Sequence, residues 1–308
     1  MVNFFDKPIL FAAFNRPEPT KKVFAEIKKI KPKKLFITID GPRNDEEKKK
    51  VDEVKKIVSD IDWPCKVKTL FRDKNLGCKS VVLAISWFFD QVEEGIIIED
   101  DCLPTPDFFK FCSELLDKYK NDERIMHIAG YNFQRGWKRD EYSYYFSNYP
   151  YMWGWATWRR AWKKYDIHMK NYSLIKNKGY LSDIYPTKIE EKLIEYYLDF
   201  SHSKDPHNTR WDNQWIFSII SNNSLSIVPN YNLVQNIGFE KDSTHIKPDV
   251  DAYLSMPIQK IKFLLTHPPF IIRDRITDKR YVFWLLKNKI KAILLFKTGL
   301  YKLFKKNK

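Results

Sequence analysis

Gly95-Ile96-Ile97-Ile98-Glu99-Asp100-Asp101-Cys102 is the stretch that decides how this chain is read. Three consecutive β-branched residues without polar alternation have the pattern of a strand covered on both faces. The run breaks into three carboxylates in a row, which repel one another unless a cation lies among them. Hard divalent ions such as Mg²⁺ or Mn²⁺ take oxygen ligands of this kind, with substrate phosphates completing the shell. An acidic triplet in isolation reads as a solvated turn, so the flanking sequence has to separate the two.

Outward from the triplet, strands and helices alternate. Residues 8–14 are a strand candidate, and Asn15-Arg16-Pro17 opens a helix over about 18–30, with Pro near its first turn where a missing N–H does no harm. Residues 35–40 form a second strand, closed by Gly41-Pro42, and a charged helix runs over about 45–59. A third strand at 67–71, a third helix at 80–91 and the strand at 95–98 follow. This order predicts a parallel sheet with right-handed crossovers. Ligands of such sheets lie at the carboxyl ends of the strands. The acids are then expected at a metal–diphosphate site.

Composition narrows the class. A hydrophobic content of 44% with 16% aromatics describes a globular chain, and 308 residues are enough for a sizeable core. The net charge of +15 is uneven, because no acid follows Asp278 while lysines continue to Lys308. That tail suggests an anionic partner, most plausibly a phospholipid surface. A basic amphipathic helix at a membrane and a helix packed on the body with its lysines in water are both open readings of residues 281–308. Cys65, Cys78, Cys102 and Cys112 show no CxxC spacing and are expected to be reduced thiols in a cytoplasmic protein, peripheral on the inner face of the membrane if the tail binds lipid. No apolar run reaches the length of a membrane span.

Several motifs occur in a telling order: Asn15-Arg16 after the first strand, Asp40 after the second, Glu99-Asp100-Asp101 followed by Pro106-Asp107-Phe108-Phe109, then Gly154-Trp155, then Trp211-Asp212-Asn213-Gln214-Trp215. Over residues 8–220 the chain resembles the GT-A glycosyltransferases, and within them the N-acetylglucosaminyltransferase I family and bacterial family 2-like glycosyltransferases. The resemblance implies an α/β, Rossmann-like nucleotide-diphospho-sugar transferase fold with a mostly parallel central sheet flanked by helices. It implies a catalytic domain over 1–250, with a donor half to about 130 and an acceptor half beyond it, and a basic helical extension over 251–308. The implied activity is metal-dependent, inverting transfer of a hexosyl or N-acetylhexosaminyl group from a nucleotide-sugar, expected to be a UDP-sugar, to a hydroxyl of a glycan or lipid-linked acceptor.

The resemblance also distributes roles. Asp101 is the expected ligand of Mn²⁺ or Mg²⁺. Glu99 and Asp100 contact the ribose and donor sugar or support the water shell of the metal. Asp40 accepts from the N3–H of uracil, or serves simply as a turn residue before Gly41-Pro42. Asp212 is the general base, or alternatively the N-cap of a helix over 213–221. Asn213 stands where relatives commonly carry a second Asp, so only Asp212 is left for that role.

Asn15 and Arg16 are expected to reach the nucleotide; a cation at a helix start is locally unfavourable, which favours a functional Arg16. The turn at 75–80 leads into a helix whose amides suit a diphosphate, with Lys79 and Arg72 adding charge. Trp153 and Gly154 are assigned to the sugar site, whereas Trp155, Trp158 and Trp162 follow helical spacing and are assigned to the core. Residues 236–245 read as a loop closing over the nucleotide, with His245 as a further metal ligand or a phosphate contact. A sugar-nucleotide nucleotidyltransferase would carry a Gly-rich loop where Phe14-Asn15-Arg16-Pro17-Glu18 stands. A non-enzymatic basic module binding membrane or nucleic acid explains the charge but not the buried strand ending in acids, and no nucleic acid is expected.

Overall fold

The computed structural model describes residues 4–202, 210–238 and 256–297. Its first half follows the alternation read from the sequence. Strands β1 (Ile9–Ala13), β2 (Lys34–Ile39), β3 (Lys66–Phe71) and β4 (Glu94–Glu99) are linked by helices α1 (Pro17–Ile30), α2 (Asp45–Ser59) and α3 (Cys78–Phe89). All four strands run parallel, in the order β3-β2-β1-β4. Pro17 occupies the first turn of α1, which buries Thr20, Val23, Phe24 and Ile27 at helical spacing. The Asn44 side chain caps α2 by accepting from the Glu47 amide, and Val51, Val54 and Val58 form its inner face.

The unbroken apolar runs now have their cause. Ile9, Phe11, Ile96 and Ile98 face a core shared with α1, α2 and α4 (Pro106–Lys118), while Leu10 and Ile97 face Val82, Ile85 and Phe88 of α3. Alternate side chains point to opposite faces, and both faces are covered.

The second half departs from the expectation of a mostly parallel sheet. Strand β4 pairs antiparallel with β8 (Trp155–Trp158), which pairs antiparallel with β6 (Ile125–Ala129). Strand β9 (Leu225–Pro229) runs parallel to β6, and the edge strand β7 (Tyr144–Ser147) antiparallel to β9. The eight-stranded sheet is therefore mixed. Parallel neighbours need a crossover of a dozen or more residues, usually helical. No helix stands between β6 and β7, where the chain reverses, and β8 then enters between β4 and β6, antiparallel to both. A second correction follows: Trp155 and Trp158 lie on β8, and only Trp162 is helical, at the end of the one-turn α5 (Arg159–Trp162). All three are buried, as expected of core residues.

A separate antiparallel pair joins β5 (Cys102–Pro104) to β10 (Val234–Asn236), which fixes residues 234–238 beside the acids. Helices α6 (Tyr172–Asn177), α7 (Tyr180–Ile184), α8 (Lys188–His202) and α9 (Trp211–Ser221) cover the mixed half. The C-terminal helix Arg275–Lys297 buries Val282 and Leu285 against an aromatic cluster that includes Tyr131, Phe133, Tyr149 and Tyr151. Among the described residues, no helix is long and apolar enough to cross a membrane.

Candidate active site

Parallel pairing brings the carboxyl ends of β1, β2 and β4 to one edge of the sheet, and backbone bonds stitch them together. The Asp100 amide donates to the Ala12 carbonyl at 2.9 Å, and the Asp40 amide to that of Ala13 at 3.3 Å. The Asp100 carboxylate, 1% exposed, accepts from the Phe14 amide at 3.0 Å. Its other oxygen lies 2.6 Å from Arg16 Nη2. The second amino group of Arg16, Nη1, donates to Asp101 Oδ2 at 3.0 Å. Arg16 thus forks between two carboxylates of the triplet.

The charge balance is tight. Burial pushes Glu99 up to about 8, with Asp101 and Asp100 adding to the effect. Burial also raises Asp100, to about 6, against the pull of Arg16. Although burial opposes its charge, Arg16 is held more firmly protonated than a free arginine by Asp100 and Asp101. A single guanidinium is thus set against three acids, and the site answers by favouring protonated Glu99.

Asp212 arrives from the other half of the sheet. It lies in the first turn of α9, not at the N-cap, which is Arg210. Burial raises its proton affinity, while Arg210 and the Asn213 amide pull the other way. Its charge is felt by Glu99 and by Cys78, so it lies within electrostatic reach of the triplet. The cause is packing: Trp211, Trp215 and Ile219 of α9 share a core with Val82, Ile85 and Phe88 of α3 and with Trp155.

Other expected residues have other engagements. Both Asp40 oxygens accept backbone amides, from Gly41 at 3.0 Å, Leu76 at 3.1 Å and Gly77 at 3.2 Å. Asp40 thereby fastens the loop before α3, and two amides of that loop are spent on it. Asn15 donates to Glu47 of α2 at 3.1 Å. Lys79 is half-buried in the first turn of α3, with no ion-pair partner among the described residues. The buried Nε of Arg72 has no hydrogen-bond partner there either. Trp153 stands edge-on to Tyr131, ring centroids 4.6 Å apart, in the aromatic cluster. Gly154 adopts a left-handed φ of 61°. His245 lies outside the described residues.

Sequence reasoning gave no individual role to four neighbours, although Ile237 and Gly238 lie in the loop read at 236–245. Gly238 packs its backbone against the site: a β-carbon there would lie 2.6 Å from Asp101 Oδ2 and 2.8 Å from Arg16 Nη1. The Ile237 amide donates to the Asp101 carbonyl at 2.7 Å. Arg210 is next but one to Asp212 in sequence, a signal that was legible, and Cys78 stands at the start of α3, within the turn read at 75–80.

Among the described residues, no three His, Cys, Asp or Glu side chains are arranged as a ready-made metal cage. The donor set still suits a hard cation of the kind bound through one or two carboxylates plus phosphates. Asp101 is the exposed end of the triplet, with its side chain 19% accessible, and the acids outnumber the one guanidinium between them.

No family model matches the sequence, and no curated protein matches it. Among solved structures the chain is similar to residues 1–349 of S. aureus TarS, at 12% identity over 75% of this chain and 59% of that one, with a TM-score of 0.40. It is also similar to GalNAc-T7 solved with UDP, GalNAc and Mn²⁺, at 10% identity over 73% of this chain and 42% of that one, with a TM-score of 0.41. The chain covers less than two thirds of either. Likenesses this distant carry no weight for its chemistry, which rests on its own residues.

Proposed function

We propose that this protein is a glycosyltransferase of GT-A type, moving a sugar from a nucleotide-sugar, expected to be a UDP-sugar, to a hydroxyl of a glycan or lipid-linked acceptor with inversion. The observation that carries the reading is the presence of two kinds of carboxylate within electrostatic reach of each other. The triplet Glu99-Asp100-Asp101 with Arg16 suits a nucleotide diphosphate, and Asp212 is a separate, half-buried carboxylate with raised proton affinity.

In this mechanism Asp212 takes the proton of the acceptor hydroxyl as that oxygen attacks the anomeric carbon, and the bond from that carbon to the diphosphate breaks on the opposite face. A base of raised pKa is better matched to a weakly acidic hydroxyl, at the cost of losing its charge sooner as pH falls. Arg16, Arg72 and Lys79 supply positive charge to the departing diphosphate. Asp101, with Glu99 nearby, would hold a divalent cation, which when bound would supply Lewis-acid stabilisation of the same leaving group. Asp40 serves the site by fixing the loop at 75–77 beside the nucleotide. On the C-terminal helix, exposed Ile276, Lys279, Phe283 and Lys287 recur at helical spacing, which supports contact with an anionic bilayer on the cytoplasmic side.

The test is calorimetric titration of UDP and GDP, each with and without Mn²⁺, into wild type and Asp101→Ala. Metal-dependent UDP binding that disappears in the variant is the expected result. Binding of neither nucleotide overturns the reading.

A further inference from the structure

Arg16 already occupies the carboxylate that the proposed cation needs. We propose that Arg16 is a built-in competitor of the divalent cation for Asp101, so that cation and diphosphate bind as a coupled pair; the coupling, though not the competition, rests on the donor-site reading above. The two arms of the fork are unequal. On the Asp100 side the carboxylate is 1% exposed and its other oxygen accepts from the Phe14 amide, so this half of the ion pair is buried and backed by the backbone. On the Asp101 side the carboxylate is 19% accessible and the Arg16 side chain 40%, so this half can open toward solvent.

Asp101 has little else to offer an incoming ion. Its Oδ1 accepts from the Cys102 thiol at 3.3 Å. Its Oδ2 takes Arg16 Nη1 and is walled by the backbone of Gly238. A cation that takes Asp101 Oδ2 must displace the guanidinium from it, because two cations in contact with one oxygen repel each other. Displaced alone, Arg16 keeps Asp100, gives up a charge-assisted hydrogen bond and faces a divalent neighbour. Displaced in the presence of a diphosphate, it finds phosphate oxygens suited to its planar fork. Cation and diphosphate thus each strengthen binding of the other, and by linkage the gain is the same in both directions.

The experiment measures Mn²⁺ affinity by calorimetry with MnCl₂ alone and with UDP present. Wild type is expected to bind Mn²⁺ weakly alone and at least about fivefold more tightly with UDP. Arg16→Gln is expected to bind Mn²⁺ alone about tenfold more tightly than wild type, since the competing charge-assisted bond is gone, and to show a smaller gain from UDP. Because that variant leaves Asp100 buried without its counter-charge, Arg16→Gln/Asp100→Asn is measured beside it and is expected to give the same tightening. Equal Mn²⁺ affinity in wild type and both variants overturns the proposal even where UDP binds, as does Mn²⁺ binding to none of the three proteins. Absence of UDP binding overturns the donor-site reading instead, and the titrations of Mn²⁺ alone still decide the competition at Asp101.

Discussion

The two halves of the sheet bury their strands with different side chains. Strands β3-β2-β1-β4 are parallel, separated by helices and, at β1 and β4, dominated by Ile, Leu and Phe. Strands β8, β6, β9 and β7 are mixed in direction, and β8 and β7 are built around Trp and Tyr. The parallel half converges backbone ends and so gathers Phe14, Asp40 and the acid triplet at one edge. The mixed half works by wedging large rings, and its contribution to the site, Asp212, is delivered by α9 docking on α3 and Trp155. One half positions through strand direction, the other through packing volume.

The sharpest way to break this comparison is to separate the two halves chemically. Asp212→Asn is expected to lower turnover by about 10²–10⁴-fold, the usual worth of a general base, while UDP affinity stays near wild type. Steady-state UDP release from a UDP-sugar with glycan acceptors, beside calorimetry, checks this. Equal loss of nucleotide binding would mean that the halves do not divide the work.

Packing comes next. Trp155 is fully buried where α3, α5 and α9 meet β8, and Trp155→Ala is expected to cost about 3–5 kcal/mol in urea unfolding. The position of α9 should suffer with it, so activity is expected to fall even well below the denaturation midpoint.

A pH effect on stability is expected from the core of the mixed half. His127 is fully buried, stacked on Trp155; its Nδ1 accepts from Trp215 Nε1 at 3.3 Å and its Nε2 lies 3.1 Å from the Tyr151 carbonyl. Burial lowers its pKa from 6.5 to about 3. The unfolded chain takes up a proton between those values and the native state does not, so this contribution is intact above pH 6.5 and is lost as pH falls toward 3. It amounts to a few kcal/mol at most. Melting temperatures of wild type and His127→Gln across that range should converge toward low pH, and parallel curves would remove the effect.

Smaller effects probe the parallel half. A β-carbon at Gly41 would lie 2.4–2.6 Å from the backbone of Lys74. Gly41→Ala is therefore expected to cost about 1–3 kcal/mol by overpacking, and to loosen the loop held by Asp40, visible as faster amide exchange at Leu76 and Gly77. Ile97→Val, which removes one methylene from the core shared with Val82, Ile85 and Phe88, should cost only about 0.5–1.5 kcal/mol.

The same contrast explains what the sequence disclosed. The helices and strands of the parallel half were legible within a residue or two, because the helical stripes and uninterrupted Ile runs have one interpretation once helices alternate with them. The acids at the end of β4 were legible for the same reason. Direction in the mixed half was not, since the Trp155–Trp158 strand is buried throughout and carries no alternation to separate it from a helix. The Arg16 fork was hidden because its partners lie more than eighty positions away. The chain alone left Asp40 open between turn residue and ligand; its bonds to Leu76 and Gly77 depend on a loop whose path only the fold sets.

The tryptophans have one more consequence. Trp155 lies 6.3 Å or less, between ring centroids, from Trp162, Trp211 and Trp215, and Trp162 is 5.2 Å from Trp215. Indoles this close couple through their strong far-ultraviolet transition, so the array is expected to give a circular dichroism couplet near that band. Trp211 is the sequence neighbour of Asp212, which makes that signal a label-free optical reporter at the rim of the site.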